Sequence, residues 1–397
     1  MQETSASLNN QQELPLPAGP RNCRWSRAAK SNFSSDIPGD LKADIRSLHQ
    51  ARNNWRSLLT LGWDWSLIAL AGGAAVRSKY RPAVYLPAVI LIGSRQRALR
   101  SLIHEASHYK LLRNRRANTW IGRLAAGFPL LEGTSAYMCS HCEHHRHLWD
   151  EQQDPKRRQY ASLGIIRPRD PVAFQRRHVF KPLLLTHVPY NVLSALYWRD
   201  EERTETVARL AFLGLTAFTL VLRSWLKPAT LLWLVPYCTT YQVFRYWSDI
   251  ADHAGLETTD AWQATRSWDA SWLTKALLSP HNANLHLPHH LFPALPHYRA
   301  KAADQLLHKV PQYHAGHHCD GFFRPRQPNR PSVMQDILRP ENTKRYHAQE
   351  IVNQLGALRR LVSYSKRYLG RHKQGTPCPY SPDQSCGSIR QRLNDSL

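Results

Sequence analysis

His104-Glu105-Ala106-Ser107-His108, His141-Cys142-Glu143-His144-His145 and His286-Leu287-Pro288-His289-His290 decide how this chain is read. Residues at i and i+4, or at i, i+3 and i+4, lie on one face of a helix, so each stretch aims its imidazoles at a common point. Imidazole suits Zn, Cu, Fe and Ni, and a single tetrahedral ion uses about four such side chains. Eight are too many for one ion, whereas a pair of ions with four or five nitrogen ligands each fits the count. Scattered surface histidines explain one such cluster but not three.

Composition bounds the rest. The chain has 397 residues, and 53 Lys+Arg against 29 Asp+Glu give a formal net charge of +24. That balance points to anionic lipid headgroups, an acidic protein partner or nucleic acid. Neither zinc-finger spacing nor a stacked-aromatic RNA motif is present, so nucleic acid is not expected as a partner. The seven cysteines, Cys23, Cys139, Cys142, Cys238, Cys319, Cys378 and Cys386, have no framework spacing and read as reduced thiols facing a cytosol.

Residues 1–50 are read as a polar lead, disordered, without the order of a signal peptide. Apolar stretches follow at 66–76, 83–93, 206–222 and 230–243, each shorter than the ~20 residues that comfortably span a bilayer. Their arrangement, two close pairs joined by residues 77–81 and 224–228, is that of two helical hairpins that cross and return. Trp63, Trp65, Tyr80, Trp225, Trp233 and Trp247 flank them as interfacial aromatics would. With the N-terminus in the cytosol, all three histidine clusters face that side, together with Arg95, Arg97, Arg100, Lys110, Arg113, Arg115 and Arg116. Residues 120–139 and 182–198, apolar but interrupted, are expected to lie in the interface or re-enter it. The expected fold is an all-α integral membrane protein with two transmembrane hairpins, four spans, and a cytosolic helical cap holding a histidine-rich dimetal site. The catalytic domain is placed at 51–320. A basic tail follows at 321–397, with a helix over 344–369 carrying Ile351, Leu355, Leu358 and Val362 at helical spacing.

The order HxxxH, HxxHH, HxxHH with hairpins between resembles the membrane fatty acid desaturase and hydroxylase superfamily. The stretch from Asn282 through Asn284 and His286 to Pro293 is particularly similar to that family's third box. The resemblance covers roughly residues 58–310. It implies two non-haem irons held by histidines alone: His104 and His108 from the first box, His141, His144 and His145 from the second, and His286, His289 and His290 from the third. A further family histidine follows the fourth span, and His253 stands in that place. Asp249, Asp252, Glu105, Glu143, Asn282 and Asn284 are candidates to orient ligand rings through the second ring nitrogen. His147, His281, His297, His308 and His314 are read as surface or packing histidines, and the pair His317-His318 as a minor metal candidate.

What the resemblance implies chemically is an O2-dependent membrane fatty acid desaturase that introduces a double bond into an aliphatic acyl chain. A hydroxylase or oxygenase of the same superfamily, acting on a lipid or small metabolite, is the alternative. O2 is the co-substrate, and the electrons come from an external donor of the ferredoxin, rubredoxin or cytochrome b5 type, since the chain shows no nucleotide-binding glycine motif and no four-cysteine iron–sulfur spacing. The implied partners are the lipid bilayer and a fatty acyl lipid, acyl-CoA or acyl-carrier protein. The implied location is a multi-pass position in a bacterial inner membrane with the site on the cytosolic side. A different class of enzyme also fits one motif: His104-Glu105-Ala-Ser-His108 satisfies the HExxH pattern of an intramembrane zinc metalloprotease, which leaves the two later clusters unexplained.

Overall fold

The computed structural model describes residues 37–339 except 51–52, 166–169, 197–200, 257 and 259. The expected helix over 344–369 and most of the two terminal regions lie outside the described residues. Residues 39–50 correct one boundary: assigned to the polar lead, they form helix α1 (Gly39–Gln50), because Leu41 and Ile45 recur at helical spacing and bury against the third-box region.

Two antiparallel helices form the first hairpin, α2 (Asn54–Arg77) and α3 (Pro82–Ser107). Asn53 caps α2 by accepting the Arg56 N–H, and Pro82 opens α3 at a position where a missing N–H costs nothing. The turn between them places Lys79 and Tyr80 at positive φ. Along α3, Ile92, Leu99, Leu102 and Ile103 are fully buried, each contributing about 1.5–3 kcal/mol relative to exposure.

The second hairpin ascends as α6 (Arg203–Leu222) and returns through residues 226–253. The return is broken by a wider turn at Thr230–Leu234 before α7 (Thr240–His253). Gly93 is where α3 meets α7: a Cβ there would stand 2.0 Å from Thr240 Oγ1 and 2.8 Å from the Tyr241 nitrogen. Only glycine lets the two backbones approach so closely. The hairpin turns lie together at one end, where Tyr85 donates to the Leu231 carbonyl and Lys227 sits over the Tyr80 ring. The three histidine stretches lie at the other.

Among the described residues two helices, α2 and α6, are long and apolar enough to cross a membrane. The stretch at 83–93 continues into Arg95, Gln96 and Arg97, all buried, and the stretch at 230–243 is broken into short pieces. Trp65 and Trp233 are not a belt: they stack on each other at 5.5 Å and donate to the Ala125 and Pro129 carbonyls.

The protein is mostly helical, but not entirely, a correction to the all-α expectation. Strands β1 (Arg266–Asp269) and β2 (His317–Asp320) pair in parallel, Arg266 opposite His317. Four-residue strands are too short to show an alternating pattern in sequence. Beyond residue 320, assigned to the tail, Phe322 and helix α11 (Val333–Ile337) join the core around Trp268 and Ile250.

Candidate metal centre

Four segments carry the nine histidines to one place. The C-terminal end of α3 brings His104 and His108, and helix α4 (Thr134–Arg146) brings His141, His144 and His145. His253 ends α7, and the short helix α9 (His286–Leu291) brings His286, His289 and His290. On α9, Leu287 and Leu291 bury against α1 and α10 (Ala300–Leu307), which turns the histidine face inward. Helix α8 (Trp272–Leu278) follows β1, and β1 pins the start of α9: Trp268 N–H donates to the Asn284 carbonyl, and Leu287 N–H to the Ser267 hydroxyl.

The nine side chains fall into two groups, His104, His108, His141, His145 and His289 in one, and His144, His253, His286 and His290 in the other. In the first, Nε2 atoms stand 2.9 Å apart between His104 and His289, and 3.0 Å from His145 to both His141 and His289. In the second, the spacings are 3.1 Å for His144–His253, 3.0 Å for His253–His286 and 3.1 Å for His286–His290. Two nitrogens bound at about 2.1 Å to one ion and at right angles stand about 3.0 Å apart. The spacing therefore fits a metal in each group. Burial, and then the neighbouring imidazoles, hold His141, His145, His289 and His290 well below the usual histidine range, and His286 likewise beside His104 and His144. Neutral imidazole is the form that binds a metal.

Among the groups named in sequence as ring-orienting, Glu105 stands 3.8 Å from His104 Nδ1, outside hydrogen-bond range, and most of the others have partners elsewhere. Glu105 is fully engaged, one oxygen 2.7 Å from Lys110 Nζ and the other accepting the His297 N–H at 2.9 Å. It lines the cavity beside His104, but with both oxygens taken it is not free to act as the base of a zinc protease. Glu143 pairs with Arg146 and His147. Asn284 donates to the Trp268 carbonyl and Asn282 to the His297 carbonyl. Asp249 pairs with Lys156, and Asp252 lies 4.0 Å from His286.

The residue that does orient a ring went unnoticed in sequence. Asp154 takes His144 Nδ1 at 3.0 Å while accepting the Trp149 N–H and capping α5 (Pro155–Leu163) through the Lys156 N–H. Burial opposes its ionisation, but the bonds from His144 and from the Trp149 and Lys156 N–H groups outweigh that and hold its carboxyl low. The Asp-Pro pair signals a helix start, but not the imidazole ten residues earlier. His253 Nδ1 bonds the Ala264 carbonyl at 2.9 Å. Asp64 on α2, also unforeseen, is buried between Arg95 at 3.0 Å and His281 at 2.7 Å, tying the loop before α9 to the first hairpin. His281 and Asn282, both at positive φ, form the sharp bend there. His297 is buried, the packing alternative of its sequence reading. His317 and His318 part company: His317 bonds Asp336 at 3.0 Å, and His318 bonds the Tyr313 carbonyl and approaches Asp304 and His308.

A cavity of about 420 Å³ opens on the histidines. The fatty acid desaturase family model matches residues 80–321, more than half of the chain, with all nine histidines inside the match. The chain belongs to the fatty acid desaturase family. This makes it an oxidoreductase and gives the two histidine groups a family context. A dihydrorhizobitoxine desaturase of Bradyrhizobium elkanii is 28% identical over 347 residues, covering 83% of this chain and 95% of that protein. A chloroplastic omega-3 fatty acid desaturase of Brassica napus is 23% identical over 336 residues, 77% of this chain and 80% of that one. The sn-2 acyl-lipid omega-3 desaturase (ferredoxin) of Arabidopsis thaliana is 23% identical over 316 residues, 71% and 69%. This desaturase-family chain therefore aligns over most of its length with enzymes of different named substrates.

Proposed function

We propose that the protein is an O2-dependent membrane desaturase whose nine histidines, His104, His108, His141, His144, His145, His253, His286, His289 and His290, hold two irons. The observation that carries this reading is the convergence of the Nε2 atoms into two groups at about 3 Å spacing. Two irons bound there would supply oxygen activation and hydrogen abstraction from an aliphatic C–H bond. The balanced reaction joins a –CH2–CH2– unit, O2, two electrons and two protons to give –CH=CH– and two waters. The chain's own contribution is to hold the imidazoles neutral and oriented, and to enclose the reacting carbon in the cavity.

The electrons come from a ferredoxin, rubredoxin or cytochrome b5-type donor; the ferredoxin named for the Arabidopsis relative supports the first. Membrane insertion is supported by apolar side chains left exposed on α2 (Leu59, Trp63, Leu70) and α6 (Leu215, Phe218, Val221). We place both hairpins across the bilayer as four spans, in a bacterial inner membrane, with the histidine end as a cytosolic cap. The acyl chains named for the plant relatives and the dihydrorhizobitoxine named for the Bradyrhizobium relative both fall within a saturated carbon–carbon bond as the reacting unit.

The test is expression of the parent and of His289→Ala in one host, with mass analysis of extracted lipids and small metabolites. A product two hydrogens lighter than its precursor, present only with the parent, supports the desaturase. A product one oxygen heavier makes it a hydroxylase, and no difference overturns both.

A further inference from the structure

The wall of the cavity beyond the histidines mixes apolar side chains, among them Tyr137, Leu285, Phe292 and Leu295, with a set of charged ones. Glu132 lies 3.1 Å from both Arg100 and Arg245, Asp249 takes Lys156 at 3.5 Å, and Asp252 faces His286. Arg97 also lines the cavity and is 8% exposed, yet among the described residues it has no carboxylate within 4.0 Å. Two hydroxyls hold its guanidinium, with Nη1 donating to Ser101 at 2.7 Å and Nη2 to Ser248 at 2.6 Å, while Nε has no partner. Asp249 and Asp252 act on it from farther off in the same cavity, so the contacts that hold the guanidinium are the neutral hydroxyls of α3 and α7, and no carboxylate pairs with it directly.

We propose that Arg97 binds the free carboxylate of the substrate, so that the protein desaturates a compact carboxylic acid rather than an esterified long acyl chain. This deepens the desaturase reading and rests on it. Arg97, Ser101, His104 and His108 follow one another at i, i+4, i+7 and i+11 on one face of α3. Seven residues of helix are about 10 Å, so a carboxylate on Arg97 puts the metal groups within reach of a short chain. A cavity of about 420 Å³ is of small-molecule size.

The test uses the full-length, iron-loaded protein in detergent, titrated calorimetrically with straight-chain monocarboxylates from butanoate to decanoate, with hexadecanoate, and with the matching primary amides. The expected result is saturable binding of a short carboxylate, at least tenfold weaker binding of its amide, and loss of that preference in Arg97→Gln but not in Arg97→Lys. Equal binding of acid and amide by the parent overturns the proposal without recourse to any variant, as does a parent that binds none of the short acids. Tightest binding of hexadecanoate replaces the compact acid with a free fatty acid and overturns the size argument. Iron content, measured on the same samples, judges the metal reading separately: protein that takes up no iron on loading yet still discriminates acid from amide would sink the two-iron centre and leave the Arg97 site standing.

Discussion

The two histidine groups are built differently. The group of five forms where the ends of α3, α4 and α9 meet, and helix spacing with helix packing sets its geometry. The group of four is braced from behind by polar groups on other segments of the chain. His144 leans on Asp154 and His253 on the Ala264 carbonyl, and these two histidines are 5% and 1% exposed. Behind His253, the Arg266 guanidinium takes the Ala251 and Ala254 carbonyls at 2.8 and 3.0 Å and pairs with Asp336 at 2.7 Å. Helical spacing thus sets the first group and also supplies His144, His286 and His290 of the second, where His144 and His253 depend in addition on polar bonds to other segments. Damage to those bonds should fall on the second group first.

The largest effect comes from removing a ligand. His144→Ala is expected to abolish metal binding in the group of four and spare the group of five, so that metal analysis falls from about two ions per chain to about one and activity drops to background. Loss of both ions would show that the groups are one unit.

Asp336→Asn leaves Arg266 buried beside an uncharged partner and is expected to cost about 3–5 kcal/mol, read as a lower Tm. Burial pushes the Asp336 carboxyl up, but Arg266 and His317 outweigh it and hold it below the usual carboxylate range. A depressed carboxylate adds stability that is complete above the ordinary value of about 4 and is lost as pH falls through the folded value. Between about pH 5 and pH 2 the parent should therefore lose more stability than Asp336→Asn. Parallel pH profiles would remove Asp336 from the brace.

Asp154→Ala is expected to weaken metal binding about 10–100-fold, at the group of four alone. A chelator competition that resolves two ions would show one affinity shifted and one not. The smallest effect belongs to Glu143→Gln, beside box two but paired at the surface with Arg146 and His147. It should change stability by less than about 1 kcal/mol and leave metal content unchanged. Loss of metal in this variant would erase the distinction between Asp154 and its neighbours.

What the sequence revealed divides instead between the ligands and the groups that brace them. Histidines at i, i+3 and i+4 announce their own helix face, and eight of the nine were found that way. His253 stands alone on α7 and was found only through family resemblance. Asp154, Ala264, Arg266 and Asp64 act across 10 or more residues of chain, as with Asp64 and His281, which are 217 positions apart. Local periodicity carries no trace of such pairs. The expected spans divide likewise: α2 and α6 keep long apolar windows, whereas α3 turns charged halfway, because Arg95 and Arg97 are partnered inside the fold by Asp64, Ser101 and Ser248. The hydropathy of a stretch does not show which of its charges find partners.

The central claim is two irons on nine histidines. Metal analysis of the detergent-purified parent beside His144→Ala tests it most directly: about two irons per chain in the parent and about one in the variant is the expected result, while a single zinc per chain, unchanged by the substitution, would contradict it.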